Sequence, residues 1–242
     1  MKITISKANR IVLATVAICL LLLSMIWVNY FRQKSIDRKD AVHFAVERNS
    51  NLAVALEQYA ISTIHNADAV LQLVRIEYGR DGKDLNLKKL LANTILNHDL
   101  TGGLSITDNK GNLVMANFAF PAGSVTNFSD REYFIFHSTN SNDSLHISKP
   151  IISRATGKPV IVISRRLNDA NGNFGGVVAL VIEPSWFTAF YAKAKLLPND
   201  IISLISPDGT TYARRTGSKE SSGEDIHKSP LFTHVANNPD SF

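Results

Sequence analysis

From Ile11 to Phe31 the chain runs for 21 residues without a charge. At about 1.5 Å per residue, a helix of that length spans roughly 30 Å, the thickness of the hydrocarbon layer. Trp27 and Tyr30 stand at one end, where interfacial aromatics belong. From residue 32 to 78 neither Pro nor Gly interrupts. Apolar residues recur at Val42, Val46, Ala53, Leu56, Ala60, Ile64, Ala67, Leu71 and Val74, with Asn49 the one polar member. Steps of three and four residues mark one face of a helix. The pattern predicts a long helix continuous with the apolar run, ended by Gly79 and Gly82. A shorter helix is expected over 87–98.

After His98 the period shortens to that of strands. Segments 102–108 and 112–120 flank the turn Asn109-Lys110-Gly111, a hairpin signal. A helix fits 130–139, with Ser129 or Asp130 as its N-cap. Strands are then expected over 145–153, 159–167 and 174–183, separated by turns around Gly157 and Gly172, and Pro184 opens another helix. Five antiparallel strands with helices make an α+β lobe. The first hairpin then returns: 104–116 aligns without gaps to 202–214, an offset of 98 residues that matches Ser105 to Ser203 and Gly111 to Gly209. A second lobe of the same kind is expected from about residue 195. The stretch to Phe242 is too short for such a core, so that lobe is expected to be incomplete.

The formal net charge is +5, from 26 basic and 21 acidic residues. Seven of the basic and two of the acidic ones lie in the first 40 positions, so the rest of the chain is balanced. That excludes a basic nucleic-acid face as the main purpose. A basic stretch before the apolar run also fits a cleaved leader. The run is longer than a leader core and no small-x-small cleavage site follows, so an uncleaved anchor is expected over 11–31, preceded by a tail over 1–10. Basic residues flank both sides, and charge leaves the orientation open. The one cysteine, Cys19, lies inside the apolar run, so the remainder forms no intrachain disulfide. No phosphate-binding Gly loop, nucleophile elbow, HExxH or CxxC occurs, and the seven histidines are scattered. No catalytic residue, metal site or cofactor is expected. Asp169, Asn171 and Asn173 imitate the start of a calcium loop, but position twelve is Leu180, and a plain turn fits better.

The stretch 127–188 contains, in order, Asp130-Arg131-Glu132-Tyr133-Phe134, Ile147-Ser148-Lys149-Pro150, Thr156-Gly157-Lys158, Ser164-Arg165-Arg166-Leu167, Asn171-Gly172-Asn173-Phe174 and Glu183-Pro184-Ser185-Trp186-Phe187. This succession resembles the membrane-distal half of double Cache (PDC-type) sensor domains of bacterial transmembrane receptors, most of all those attached to diguanylate cyclases. Asn171-Gly172 and Glu183-Pro184 depart from the Asp-Gly and Asp-Pro of the pattern. Residues 223–242 resemble the second lobe, including Ser229-Pro230-Leu231-Phe232. The likeness covers about 45–242. It implies a PAS-like (Cache) antiparallel five-stranded lobe within 32–190 and the start of a second lobe over 195–242. It also places the sensor region in the periplasm, anchored in the bacterial inner membrane.

The resemblance points to a small-molecule ligand on the sheet of the first lobe. Arg131, Tyr133 and Phe134 have the family's support, and His137 lies one helical turn beyond Phe134. An arginine beside aromatic rings can grip a carboxylate while the rings exclude water. Dicarboxylate-sensing kinases carry a similar R-x-Y-F element, and amino-acid-binding Cache domains R-x-W-Y. The latter also place an Asp near the end of the last strand, where this chain has Val181, which favours a simple carboxylate or another anion over an amino acid. Lys149, Arg154 and Arg165 are further candidates, and Arg165 and Arg166 must point to opposite faces of their strand. The competing reading has Asp130 capping the helix, Arg131 pairing with a neighbour, and the aromatics in the core.

The expected role is therefore an extracytoplasmic sensing input of a membrane-bound receptor that controls a diguanylate cyclase and so cyclic di-GMP. The alternatives are the input of a sensor histidine kinase and a standalone membrane-tethered binding module. A homodimer through the long helix is a possible assembly, and no nucleic acid is expected as a partner.

Overall fold

The computed structural model describes residues 7–92, 103–192 and 199–237. Helix α1 runs Lys7–Asp81. Its most apolar 18-residue window has a mean hydropathy of 2.4 and is wholly exposed, long and apolar enough to cross a membrane. Of the predicted stripe, Val42 and Val46 are exposed, whereas Leu56, Ala60, Ala67, Leu71 and Val74 are buried. Gly79 does not end the helix. A glycine there costs the helix only about 1 kcal/mol relative to Ala. The stop comes at Gly82, whose φ of +58° leaves the helical region. Helix α2, Leu87–Ala92, follows, and the rest of the stretch expected as helix to residue 98 lies outside the described residues.

The first lobe contains β1 Leu104–Asp108, β2 Leu113–Ala116, α3 Glu132–Thr139, β3 His146–Ile147, β4 Ile151–Ile152, β5 Pro159–Asn168, β6 Phe174–Ile182 and α4 Ser185–Ala192. The strand order is β2-β1-β6-β5-β3, all antiparallel, with β4 also on β5. Two strands are shorter than expected. The strand foreseen over 112–120 stops at Ala116 because Asn117 turns back on β1: its Oδ1 accepts from Leu104 N at 2.7 Å and its own N–H donates to Leu104 O at 3.1 Å. The strand foreseen over 145–153 is split at Ser148-Lys149-Pro150. Pro150 has no N–H to donate, and Ser148 Oγ takes the place of a ladder carbonyl by accepting from Val162 N at 3.0 Å.

Both faces of this sheet are covered, which explains why β6 reads as an almost unbroken apolar run. On one face Ala67, Val70, Leu71 and Val74 of α1 pack with Ile106, Ile161, Ile163 and Leu180. On the other, Phe128, Tyr133 and Phe134 pack with Val160, Val162, Val177 and Ala179. Burying one such large aliphatic side chain contributes about 1.5–3 kcal/mol. Gly176 of β6 pairs with Asp108 at the end of β1. With φ +142°, a Cβ there would stand 1.9 Å from Thr107 O.

A second sheet, in the order β7-β8-β9, is formed by β7 Ile201–Ile205, β8 Thr211–Thr216 and β9 Lys219–Ser221, followed by α5 Pro230–Asn237. The hairpin repeat seen in the sequence reaches much further in the backbone. Phe128 N donates to Gly111 O and Ile226 N to Gly209 O. Leu113 N donates to Thr126 O and Thr211 N to Glu224 O. The bridge Asn112–Asn127 returns as Thr210–Asp225, and both hairpins carry a register shift at the matching place. Every pair is 98 residues apart, as are Glu132–Thr139 and Pro230–Asn237. The strand, turn, strand, loop and helix from 104 to 139 are thus built twice without insertion or deletion.

Candidate ligand-binding site

The loop between β2 and α3 folds over the sheet face opposite α1. It closes a small cavity of about 40 Å3. The floor is Ser105 of β1, Val160 and Val162 of β5, and Ala179 and Val181 of β6. Phe118, Phe120 and Phe128 roof it from the loop, Arg131 and Tyr133 enter from the start of α3, and Ile151 to Ala155 form the rim. Phe120 lies 4.9 Å from Phe118 and 5.9 Å from Phe128, ring centre to ring centre. Two arginines line the cavity and no carboxylate does. Val181, which stands where an amino-acid site would carry an acid, faces into it.

The two arginines have different duties. Arg154 is held in place: Nη2 pairs with Asp130 Oδ2 at 2.6 Å, Nη1 donates to Asn127 O, and the guanidinium lies 5.5 Å over the Phe128 ring. Its hydrogen bond keeps the Asp130 carboxyl below the usual carboxylate range. Asp130 therefore does not cap α3, contrary to expectation. The N-cap is Arg131, whose side chain makes no cap hydrogen bond. Arg131 donates from Nη2 to Ile152 O at 3.1 Å, and among the described residues no carboxylate forms an ion pair with it. Of the two arginines of the cavity it is the one without an ion pair among the described residues. Tyr133 is buried, and that burial pushes its phenol up to about 12, so it remains a neutral hydroxyl.

The other sequence candidates lie elsewhere. Phe134 is buried beside the cavity, its ring 5.3 Å from that of Phe174. His137 is fully buried with Nε2 3.1 Å from Ser164 Oγ. Burial pushes it down to about 4, so it is neutral at neutral pH and offers no charge to an anion. Lys149 is exposed and pairs with Asp208. Arg165 points to the α1 face, where Asp68 and Asp143 hold it, because strand parity sends it away from the side that carries the cavity. Phe118, Phe120 and Ser105 were not singled out by the sequence. Phe118 and Phe120 could have been found from their place in the loop between β2 and α3, which folds over the sheet.

A larger cleft of about 350 Å3 lies between β5, the start of α4 and β8–β9. Its lining carries both signs: Lys158 lies 3.6 Å from Glu183, Glu220 accepts from Arg215 at 3.0 Å, and Arg214 donates from Nε to Ser203 Oγ at 3.1 Å. The smaller cavity, whose lining has two arginines and no carboxylate, is the better anion site.

The repeat supplies an internal comparison. Arg131 corresponds to Ser229, the N-cap of α5, whose Oγ accepts from Phe232 N at 3.1 Å. The first copy therefore carries an arginine where the second carries a capping serine. Giving up such a cap typically costs about 1 kcal/mol.

No family model matches the sequence, and no match is found among curated proteins. Among solved structures the chain is similar to the extracellular domain of rpHK1S-Z16, a protein assigned as a histidine kinase. The TM-score is 0.63 with 31% identity, over 76% of this chain and 75% of that one. Two more distant structures share the fold. One is the ligand-binding domain of the Pseudomonas fluorescens chemoreceptor CtaA, solved with L-serine, with TM-score 0.50 and 17% identity over 65% and 66% of the two chains. The other is an extracellular ligand-binding receptor from Desulfohalobium retbaense, with TM-score 0.52 and 18% identity over 77% of this chain and 34% of that one. At that identity and mutual coverage, the chain belongs to the same family of extracellular receptor sensor domains as rpHK1S-Z16.

Proposed function

We propose that this chain is the ligand-sensing input region of a membrane-bound signalling receptor of the double Cache type. Its sensor would lie in the periplasm on an inner-membrane anchor formed by residues 11–31, and it would bind a small carboxylate at the cavity beneath Phe118 and Phe120. One observation carries this reading. At one position of a backbone built twice, the second copy has the helix-capping Ser229, and the first has Arg131, without a cap and without an acidic partner. A residue that forgoes local stability to bring an unpaired guanidinium beside aromatic rings has the character of a binding group. The absence of any carboxylate in the lining disfavours an ammonium and hence an amino acid.

Phe134 and His137 serve this site through packing, and Lys149 lies outside it. The role of the chain is sensing rather than catalysis. The motif order over 127–188 supports a diguanylate cyclase as the output, and the likeness to rpHK1S-Z16 supports a histidine kinase. Identifying the output domain that this input region controls would decide between them. Two such chains would pair through the exposed part of the α1 stripe around Val42 and Val46.

The test is a panel of two- to five-carbon organic acids and the corresponding amino acids, titrated calorimetrically against the full chain in detergent. An acid that binds the wild type and is lost in Arg131→Ser supports the reading. Equal binding by both proteins, or binding of amino acids alone, overturns it.

A further inference from the structure

The paired arginines of β5 are explained neither by the cavity nor by burial. Adjacent residues of a strand point to opposite faces, and each of these two grips a different partner. On the cavity face Arg166 is buried, and its Nη1 donates to His137 O and, at 3.2 Å, to Asn140 O, two carbonyls at the C-terminal end of α3. Its Nε donates to Asn168 Oδ1 at 2.7 Å, and its guanidinium lies 4.8 Å over Phe174, the ring that touches Phe134 of α3. On the helix face Arg165 is equally buried. It grips Asp68 of α1 bidentately, with Nη2 2.9 Å from Oδ2 and Nε bonded to Oδ1. Its Nη1 donates to Asp143 O at 3.1 Å and to Asp143 Oδ1 at 3.0 Å. Arg75 of α1, two helical turns beyond Asp68, also pairs with Asp143.

Asp68, Arg165, Asp143 and Arg75 thus form a chain of alternating charge that ties α1 to β5 and to the segment joining α3 to β3. That segment leaves α3 through Asn140, whose Nδ2 donates to Phe136 O at 2.8 Å. Helix α3 is therefore held at its C-terminal end by Arg166 and, through the following loop, by Arg165 and Arg75. It is eight residues long, little more than two helical turns, and short enough to move as one piece. Its other end carries Arg131 and Tyr133.

We propose that Arg165 and Arg166 are positioning residues that couple α3 to α1 through the sheet, so that occupancy of the cavity at the start of α3 is read by the long helix. The proposal rests on the reading of Arg131 as the ligand's anchor, yet its physical content is tested without a ligand. A displacement of α3 pulls on Arg166 directly and on Arg165 through Asp143, and both arginines belong to one rigid strand. Bidentate guanidinium–carboxylate pairs are directional, so the register of Asp68 against β5 follows. A coupling route needs evidence of coupling, not proximity alone.

The experiment is amide hydrogen exchange on the full chain in nanodiscs, comparing wild type, Asp68→Asn, Arg166→Gln and Val74→Ala. Val74 is fully buried on the same part of α1 and takes no part in the charge chain. Asp68→Asn is expected to speed exchange over 136–140 of α3 by about five- to tenfold, although Asp68 makes no contact there. Arg166→Gln is expected to do the same over 64–75 of α1, from the opposite side of the sheet. Val74→Ala is expected to loosen α1 and leave α3 unchanged. If Asp68→Asn does not fold, Asp68→Glu, which keeps the charge and shifts its position, replaces it with the same expectation at smaller size. The proposal fails if the α3 amides ignore the substitution at 68, or if Val74→Ala moves them equally, since either result makes the charge chain a local brace. Failure of the acid panel with this coupling intact would overturn the ligand class and leave the coupling standing.

Discussion

Arg131 and Ser229 stand 98 residues apart at the same place in a backbone built twice, and each is the N-cap of the helix that follows. The serine caps and the arginine does not. Arg131 N donates to Phe128 O as Ser229 N does to Ile226 O, and Ile135 N and Thr233 N donate to the two cap carbonyls alike, so the cap geometry is shared and the side chain differs.

Replacing Arg131 by the residue of the other copy should therefore do two opposite things. Arg131→Ser restores a cap and is expected to stabilise the unliganded chain by about 1 kcal/mol. It also removes a charge-assisted contact worth about 1.5–3 kcal/mol, so affinity for the bound acid should fall about ten- to a hundredfold. Urea denaturation and calorimetric titration of the same preparations check both. A variant that loses stability shows that the arginine is structural.

The acid limb of the stability profile should report on His137. Burial holds its folded-state value at about 4, whereas an unfolded histidine titrates near 6.5. Between those values the unfolded chain binds more protons than the folded one, so stability falls as pH drops from about 6.5 towards 4 and is insensitive to this group above 6.5. His137→Gln should flatten the slope of melting temperature between pH 6.5 and 4.5. An unchanged slope would assign it to other groups. Asp68, held low chiefly by the hydrogen bond from Arg165, acts further down. Its contribution is present above the ordinary carboxylate range and is lost as pH falls below it.

Gly176 should be the least replaceable glycine of the first lobe. A Cβ there meets Thr107 O at 1.9 Å, and the backbone of β1 cannot yield without breaking its ladder with β6. Gly176→Ala is expected to cost about 2–4 kcal/mol from strain and clash together. Gly123→Ala, also at positive φ but with nothing within 4 Å, should cost only about 1 kcal/mol. Denaturation midpoints of the two variants give the comparison.

Much of this was legible along the chain. The switch from a helical period to alternating runs located α1 and the strands of the first lobe, the repeat located β7 and β8 but not β9, and parity alone separated Arg165 from Arg166. Parity could not say which face holds the cavity, and so Arg165 was expected at a site that lies on the far side of its sheet. The missed strand ends have a common cause. Asn117 and Ser148 satisfy ladder groups with their side chains, which a hydrophobic pattern does not register. The repeat was visible only over the hairpin because the matched residues beyond it diverge: Asn127 against Asp225, Phe128 against Ile226, Arg131 against Ser229. What persists there is backbone hydrogen bonding, which tolerates such changes. The same divergence hid the roof of the cavity, since Phe118 and Phe120 lie past the end of β2 in a stretch with no regular period.

Phe120 should set the size of the acid that the cavity admits. Its ring lies tilted between Phe118 and Phe128 over the floor formed by Val162 and Ala179, and the space left is about 40 Å3. A ligand larger than a few heavy atoms must therefore displace the roof, and that displacement costs the aromatic contacts, about 0.5–1.5 kcal/mol for each pair. Phe120→Ala removes the obstacle in advance. Because Phe120 is only half-buried, the variant should lose less stability than the about 3–5 kcal/mol typical of a buried Phe→Ala change. Its preference among the organic acids should move towards the longer chains, while the dependence on Arg131 stays, since the guanidinium is untouched. Titrating the two- to five-carbon series against wild type, Phe120→Ala and the double variant with Arg131→Ser separates the two contributions. If the double variant binds longer acids as well as Phe120→Ala alone, the enlarged cavity is taking them up as apolar chains, and the arginine is not their anchor.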